Sequence, residues 1–491
     1  MSLVSVNKLT YAYPGSFDNV FENFSIAFDT DWKLGLIGRN GRGKTTLLRL
    51  LAGELDSAGA ISASVPFAMF PPAVEDMEKT ALEVMGEACP SAEEWELMRE
   101  AGLLDIEADV LLRPFSTLSN GERTKALLAS LFCGGDRFLL IDEPTNHLDE
   151  LGRRAVAAYL RRKRGFLLVS HDRDFLDGCT DHILSLNKTE AELQNGNFSS
   201  WWENKSRRDA SEQARNQKLQ KEMTRLRAAA ERTNTWSDRV EATKTGSRNS
   251  GLRPDRGFIG HKAAKMMQRS KNIEQRRQRA VEEKSTLLRD IERMDELKLR
   301  PLDFRGRLFD AKELTLSYDR RTICRPLTFS VESGDRIALS GRNGCGKSSL
   351  LKVLRGDDME RGGTLVRASG LTISVVPQDA SGLRGALRDF IRDSGIDEAL
   401  FRAILNKLAL SGAQSEKDLA DWSEGQKKKA LIARSLCQSA HLYIWDEPLN
   451  FIDVWSRMQL EELLIEYRPT LLFVEHDAAF RRRIATKTIE M

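Results

Sequence analysis

A run of about 18 apolar residues, the minimum for a helix that crosses a bilayer, is missing from this sequence. Missing too at its start is a basic segment followed by an apolar one. "MSLVSVNKLTYAY" reads instead as a strand that begins at once, so a protein that is neither exported nor membrane-embedded is expected. Cysteine is scarce. The six thiols, Cys89, Cys133, Cys179, Cys324, Cys345 and Cys437, lack the short spacings of zinc or redox motifs and predict reduced residues in a cytoplasmic compartment. An excess of either charge is lacking as well, at +3 overall. Residues 204–300 nevertheless hold 26 Lys and Arg against 14 Asp and Glu, a balance of +12 that leaves the rest of the chain at −9. The middle is basic and the flanks are acidic. With 491 residues, 41% of them hydrophobic, the chain exceeds a single core and predicts two or three domains.

What is present is one set of motifs written twice. "GRNGRGKTT" (Gly38 to Thr46) and "GRNGCGKSS" (Gly341 to Ser349) share the form G-x-x-x-x-G-K-[ST]. Each follows an apolar strand-like run, "WKLGLI" or "DRIALS", and opens into a helical pattern, "LLRLLAG" or "LLKVLRG". That strand–loop–helix context is what a phosphate loop requires. Gly38, Gly41 and Gly43, and Gly341, Gly344 and Gly346, let the backbone N–H groups beside Asn40 and Asn343 converge on phosphate oxygens. Lys44 and Lys347 neutralise the β and γ charges, and a hydroxyl at Thr45 or Ser348, followed by Thr46 or Ser349, can hold Mg2+.

Other features recur at nearly the same interval. "LSNGER" matches "WSEGQK", "FLLIDEP" matches "LYIWDEP" and "LLVSHD" matches "LFVEHD". Lys44 and Lys347 lie 303 residues apart, Ser119 and Ser423 304, Glu143 and Glu447 304, and His171 and His476 305. The chain is an internal duplication with almost no drift. An apolar strand ending in Asp-Glu puts one carboxylate, Asp142 or Asp446, near Mg2+. A second, Glu143 or Glu447, then stands beside the γ-phosphate, where it can orient or deprotonate water. Alone, such a pair is more often a helix cap and a single histidine more often structural. The fixed order in both halves favours chemistry, with His171 and His476 in reach of the γ-phosphate.

Phosphate loop, signature, Asp-Glu and histidine, in that order, resemble an ATP-binding-cassette ATPase over both flanks of the chain. The resemblance implies head-to-tail cassettes, an intramolecular dimer that is otherwise a monomer, with two composite ATP sites. One site would pair Lys44, Asp142, Glu143 and His171 with Ser423, Gly425 and Gln426. The other would pair Lys347, Asp446, Glu447 and His476 with Ser119, Gly121 and Glu122. The signature serine and the N–H groups behind it would cap the γ-phosphate from across the interface. Tyr13 and Tyr318 stand where the family stacks adenine, although a core aromatic is nearly as good a reading. Gln378 in "VVPQD" matches the family's Q-loop, a Mg2+ or water contact, whereas "MFPPAV" carries Pro72 there and would slow hydrolysis at the first site. "EPLNFID" also departs from the regular "EPTNHLD", with Asp149 and Asp453 kept in both.

Between the cassettes, Leu219, Met223 and Leu226, and then Ile273, Ala280, Leu287, Ile291 and Met294, form narrow apolar seams on charged helices. Together they predict an antiparallel hairpin over 204–300, between an α/β cassette at 1–203 and another at 301–491. The tip, near 242–265, is broken by glycines and a proline. Residues 242–271 hold eight Lys and Arg against one acid, an excess that a phosphate-rich partner would attract. Arg248, Arg253, Arg256, Lys262, Lys265 and Arg269 could meet RNA phosphates, and Phe258 and Ile259 could contact a base or simply pack the hairpin's end.

Tandem cassettes, a helical linker, "SHDRDFLD", "DEPTNHLD" and "GNFSSWWENK" resemble the ABC-F translation ATPases over almost the entire chain. That resemblance implies ATP and Mg2+ as ligands and the bacterial 70S ribosome as partner. The protein would sit at the E site, with contacts to 23S rRNA and P-site tRNA and none to membrane. The long tip and "WDEPLNFID" look most like the branch protecting against lincosamides, pleuromutilins and streptogramin A. A housekeeping factor for stalled ribosomes remains the alternative. A transporter's ATPase half is more remote, and so is a chromosome-organising ATPase, because both motif sets are complete on either side of the hairpin.

Overall fold

Lys33–Gly38 and Arg336–Ser340 are apolar almost throughout because each lies in a parallel sheet covered on both faces. The computed structural model describes residues 3–15, 19–146, 148–187, 191–212, isolated positions between 214 and 224, 297–318, 321–410 and 417–491. Two compact units are present, Met1–Trp201 with Met294–Met491, and Trp202–Arg293.

The larger unit contains two copies of one α/β architecture. The first central sheet runs Phe67–Phe70, Phe138–Asp142, Phe166–Val169, Lys33–Gly38, His182–Leu186 and Ala191–Asn195, parallel except for the last strand. The second runs Ile373–Val376, Leu442–Asp446, Leu471–Val474, Arg336–Ser340 and Lys487–Glu490, parallel throughout. Strand for strand the order is the same, and an antiparallel sheet built on Leu3–Tyr11 or Arg307–Tyr318 packs against each.

Alternation along the strands distributes side chains between two cores. In the second copy Ile337, Leu339, Leu442, Ile444, Leu472 and Val474 meet the antiparallel sheet and the helix Lys347–Arg355. Their neighbours Ala338, Tyr443, Trp445, Leu471 and Phe473 turn to the opposite face, against Glu398–Lys407, Glu424–Cys437 and Val454–Tyr467. Three adjacent strands of each sheet end at one edge, so the phosphate loop, the Asp-Glu pair and the histidine emerge side by side. In open α/β sheets that crevice is where ligands bind.

Of the smaller unit, residues 202–212 are helical, with Arg207 and Glu203 paired at 2.6 Å one turn apart. The seam residues from Leu219 to Met294 and the whole basic tip, Arg248 to Arg269, lie outside the described residues. Among the described residues no helix is long and apolar enough to cross a membrane.

Candidate functional site

Each phosphate loop ends on a glycine that a side chain would strain. Gly43 (φ 83°) and Gly346 (φ 95°) sit in the left-handed region at the starts of Lys44–Leu51 and Lys347–Arg355, aiming the first free N–H groups of those helices into a concavity. Lys44 Nζ donates to the Gly38 carbonyl at 2.8 Å, and Lys347 Nζ donates to those of Gly341 and Arg342 at 2.8 and 2.9 Å. The lysines thus fold back over their own loops. Thr45 Oγ1 donates to Asp142 Oδ2 at 2.8 Å, and Ser348 bonds Asp446 in the same way. Burial raises both aspartates above the usual carboxylate range, and Asp446 Oδ1 is buried without a hydrogen-bond partner. A carboxylate with a spare oxygen beside a hydroxyl suits Mg2+, which takes one or two carboxylates and draws its remaining ligands from water and phosphate.

Glu143 and Glu447 occupy the same unusual backbone position, φ 47° and 46°, rare for a residue with a side chain. Each N–H donates to the next strand, to Val169 or Val474, at 3.0 Å, which holds the strained turn. His171 Nε2 lies 3.3 Å from Glu143 Oε1, and His476 Nε2 lies 3.5 Å from Glu447 Oε1. Beyond that the two glutamates differ. Burial, and after it Asp142, pushes Glu143 well up. Burial alone would also raise Glu447, but His476, Gln378 and Asn450 bond its carboxylate and outweigh it, taking it down to about 2. Asn450 Nδ2 donates to Glu447 Oε2 at 2.6 Å. His171 is held far below its ordinary value by burial first and then by Lys44, so its ring is neutral.

The two cassettes supply complementary halves of two clefts of about 570 and 660 Å3, sizes suited to a small-molecule ligand. Arg39 to Thr46, Asp142, Glu143 and His171 face Ser423, Gly425 and Gln426 in the first. Ser119, Gly121 and Glu122 face Asn343, Lys347, Ser348, Gln378, Glu447 and His476 in the second, with Tyr318 in its wall. Tyr13 is exposed and its hydroxyl lies 2.9 Å from Thr46 Oγ1. Both signature serines cap their helices. Ser119 Oγ accepts from Glu122 N at 3.2 Å and donates to Glu122 Oε2 at 2.7 Å, so this hydroxyl serves its own helix first. Ser423 and Gln426 form the same reciprocal box.

Several further contacts cross between the cassettes. Asn40 Nδ2 donates to the Phe451 carbonyl at 2.9 Å, at the "FID" that departs from the first copy. Arg173 pairs with Glu461, Arg481 with Glu150, and Arg482 with Asp174 at 2.9 Å. Only Phe451 lay within a stretch that its divergence had already marked. The arginine pairs join residues about 300 positions apart and have no spacing by which to find them.

Such a fold defines a protein of two tandem cassettes that share two clefts between them. The ABC transporter family model matches residues 21–146 and 324–450. The chain is 30% identical over 494 residues to the ATP-binding protein Uup of Caulobacter vibrioides, spanning 96% of this chain and 74% of that one. It is 28% identical to the ribosome protection protein VmlR of Bacillus subtilis, over 97% of this chain and 84% of the relative. With the energy-dependent translational throttle protein EttA of Escherichia coli it shares 26% identity over 96% of this chain and 89% of the relative. Among solved structures, an archaeal ribosome recycling factor, aABCE1, in complex with the stalk protein aP1, superposes with a TM-score of 0.63 at 18% identity, over 99% of this chain and 87% of that one. The chain belongs to the ABC transporter family as two tandem ATP-binding domains, is homologous to the ABC-F proteins, and is an ATPase.

Proposed function

We propose that this ATPase is a cytoplasmic, ribosome-binding factor whose cassettes close on ATP and whose linker works at the peptidyl-transferase centre. The observation that carries the reading is the split of each cleft, in which the phosphate loop and the signature stand on opposite cassettes. ATP can be fully ligated only when both halves meet, so binding and closure are one event and hydrolysis reverses it.

In each cleft the lysine, Lys44 or Lys347, would leave its own carbonyls for the β and γ oxygens. The N–H groups at Gly121 and Glu122, or Gly425 and Gln426, would complete the γ-phosphate's shell. Glu143 and Glu447, held in strained turns, would orient the attacking water, with His171 and His476 steadying them. Thr45 with Asp142, and Ser348 with Asp446 and Gln378, would hold Mg2+, which supplies charge neutralisation of the β and γ oxygens when bound. His476, Gln378 and Asn450 hold the Glu447 carboxylate low whereas Glu143 is raised, which supports faster hydrolysis at the second cleft.

Similarity along nearly the full chain to a ribosome protection protein supports the ribosome as partner, and the E site, 23S rRNA and P-site tRNA are the contacts that the ABC-F resemblance implies. On this reading the basic residues from Arg248 to Arg269 meet RNA phosphates, and Phe258 and Ile259 help release lincosamide, pleuromutilin or streptogramin A. The comparable identity to a translational throttle protein favours a second reading, a housekeeping factor acting on stalled ribosomes without drug. Glu143→Gln with Glu447→Gln is expected to bind ATP, fail to hydrolyse it and co-sediment with 70S ribosomes; a double variant that stays free in ATP overturns the clamp. Growth inhibition of a susceptible bacterium separates the two readings. Raised tolerance to lincomycin, tiamulin and virginiamycin M, lost on changing Arg253, Phe258 and Ile259 to Ala, is the expected result for protection. Unchanged tolerance with ATP-dependent ribosome binding intact selects the housekeeping role.

A further inference from the structure

In the second cassette the signature helix, Glu424–Cys437, is laced by polar side chains to the strand and loop that carry Gln378. Lys428, 2% exposed, donates to the carbonyl oxygens of Pro377 at 2.8 Å, Gln378 at 3.0 Å and Asp446 at 3.2 Å. Three donors meet three acceptors, which satisfies the ammonium. Less than two turns further on, Arg434 donates to the Val375 carbonyl at 2.7 Å, and Ser435 Oγ lies 2.8 Å from Ser374 Oγ. The helix, the strand Ile373–Val376 and the end of Leu442–Asp446 are therefore bound as one body.

The first cassette is built otherwise. The positions 304 residues earlier hold Thr124, Ser130 and Leu131. Thr124 Oγ1 donates to the Asn120 carbonyl at 2.9 Å and Ser130 Oγ to that of Leu127 at 2.8 Å, both within their own helix. Leucine has no hydrogen bond to offer. The loop this helix would have to hold carries Pro72 where the other carries Gln378.

The laced helix touches both clefts. Its N-terminal Ser423, Gly425 and Gln426 face the first, while Lys428 grips the backbone of Gln378, which lines the second, and of Asp446, whose side chain bonds Ser348 there. We propose that Lys428 is a positioning residue that couples the two ATP sites in one direction, so that ATP gripped in the first cleft sets Gln378 and Asp446 for turnover in the second. The reverse path, through Thr124, has no such link.

The inference rests on reading the clefts as ATP sites, which Lys44→Ala combined with Lys347→Ala tests separately by abolishing turnover. The coupling is read on the full-length protein without ribosomes. Lys44→Ala prevents ATP from occupying the first cleft, whereas Glu143→Gln lets it hold ATP without hydrolysis; in both backgrounds turnover reports the second cleft. The ratio of kcat, Glu143→Gln over Lys44→Ala, is expected to be on the order of fivefold or more. Adding Lys428→Thr, the first cassette's residue, is expected to bring that ratio to about one with little change in KM. Lys428→Arg, which can donate to the same carbonyls, should retain the ratio and guards against a simple folding defect. The mirror ratio at the first cleft, Glu447→Gln over Lys347→Ala, should not respond to Thr124→Ala. A ratio of one in the protein with Lys428 intact overturns the coupling. So does a ratio that survives Lys428→Thr, even with overall turnover reduced, since Lys428 would then only stabilise the cassette.

Discussion

At the scale of single residues, three consecutive lysines show how little a charge run says about burial. Lys427, Lys428 and Lys429 follow the second signature, and successive helix positions point about 100° apart. Lys427 stays half-buried, bonding the Ala420 carbonyl at 3.0 Å. Lys428 and Lys429 go inside, each 2% exposed. Lys429 meets Asp453, 0% exposed, at 2.8 Å, and donates to the Leu408 carbonyl. The sequence shows Asp453 through its motif, but nothing in "KKK" tells which lysine turns inward.

Removing one partner of such a pair strands the other charge. Asp453→Asn is expected to destabilise the protein by about 3–5 kcal/mol, measured as a lower denaturant midpoint. The sign with pH follows from the carboxylate. Burial alone would raise Asp453, but Lys429 outweighs it and holds the group below its ordinary value. Its contribution is therefore fully present above about pH 4 and is lost as pH falls through the lower folded-state value. Destabilisation by Asp453→Asn should shrink in acid; a penalty that grows as pH drops would refute the pairing.

Elements were the most legible scale. A phosphate loop demands a strand before it and a helix after it, and Lys33–Gly38 and Lys44–Leu51 supply them, as do their counterparts. Duplicated spacing then put Asp142, Glu143 and His171 at the ends of successive strand-like runs. The strand order was not legible, because parallel pairing joins segments separated by whole helices and leaves no local pattern. The reach of the signature helices was also hidden. Gly425 packs so closely that a Cβ there would stand 2.6 Å from the Phe451 carbonyl and 3.3 Å from Asn40 Nδ2. Backbone cannot yield as a side chain tip can, so Gly425→Ala should push this signature off Asn40. Turnover at the first cleft, read in a Glu447→Gln background, is expected to fall by about 10- to 100-fold while nucleotide binding at the second persists.

Across the whole molecule, the clefts are lined from both cassettes, as the head-to-tail pairing implied by the family resemblance requires, while most of the residues that fasten the cassettes stand outside the motifs. Arginines on the helices Arg173–Cys179 and Ala478–Ile484 cross between cassettes to Glu461, Glu150 and Asp174. Glu461 is fully buried and takes Arg483 at 2.7 Å as well as Arg173. Sequence cannot rank such pairs, because a surface arginine and an interfacial one look alike until the partner surface exists.

The crossing of the clefts also changes how damage reads out genetically. If the clefts work as proposed, a substitution in one signature would disable chemistry on the phosphate loop of the other half, and lesion and symptom would fall on opposite sides of the linker. Two inactive alleles, each with one faulty half, need not restore each other when mixed, since a good phosphate loop and a good signature must meet within one chain. Compensating changes for either allele belong in the half that looks healthy.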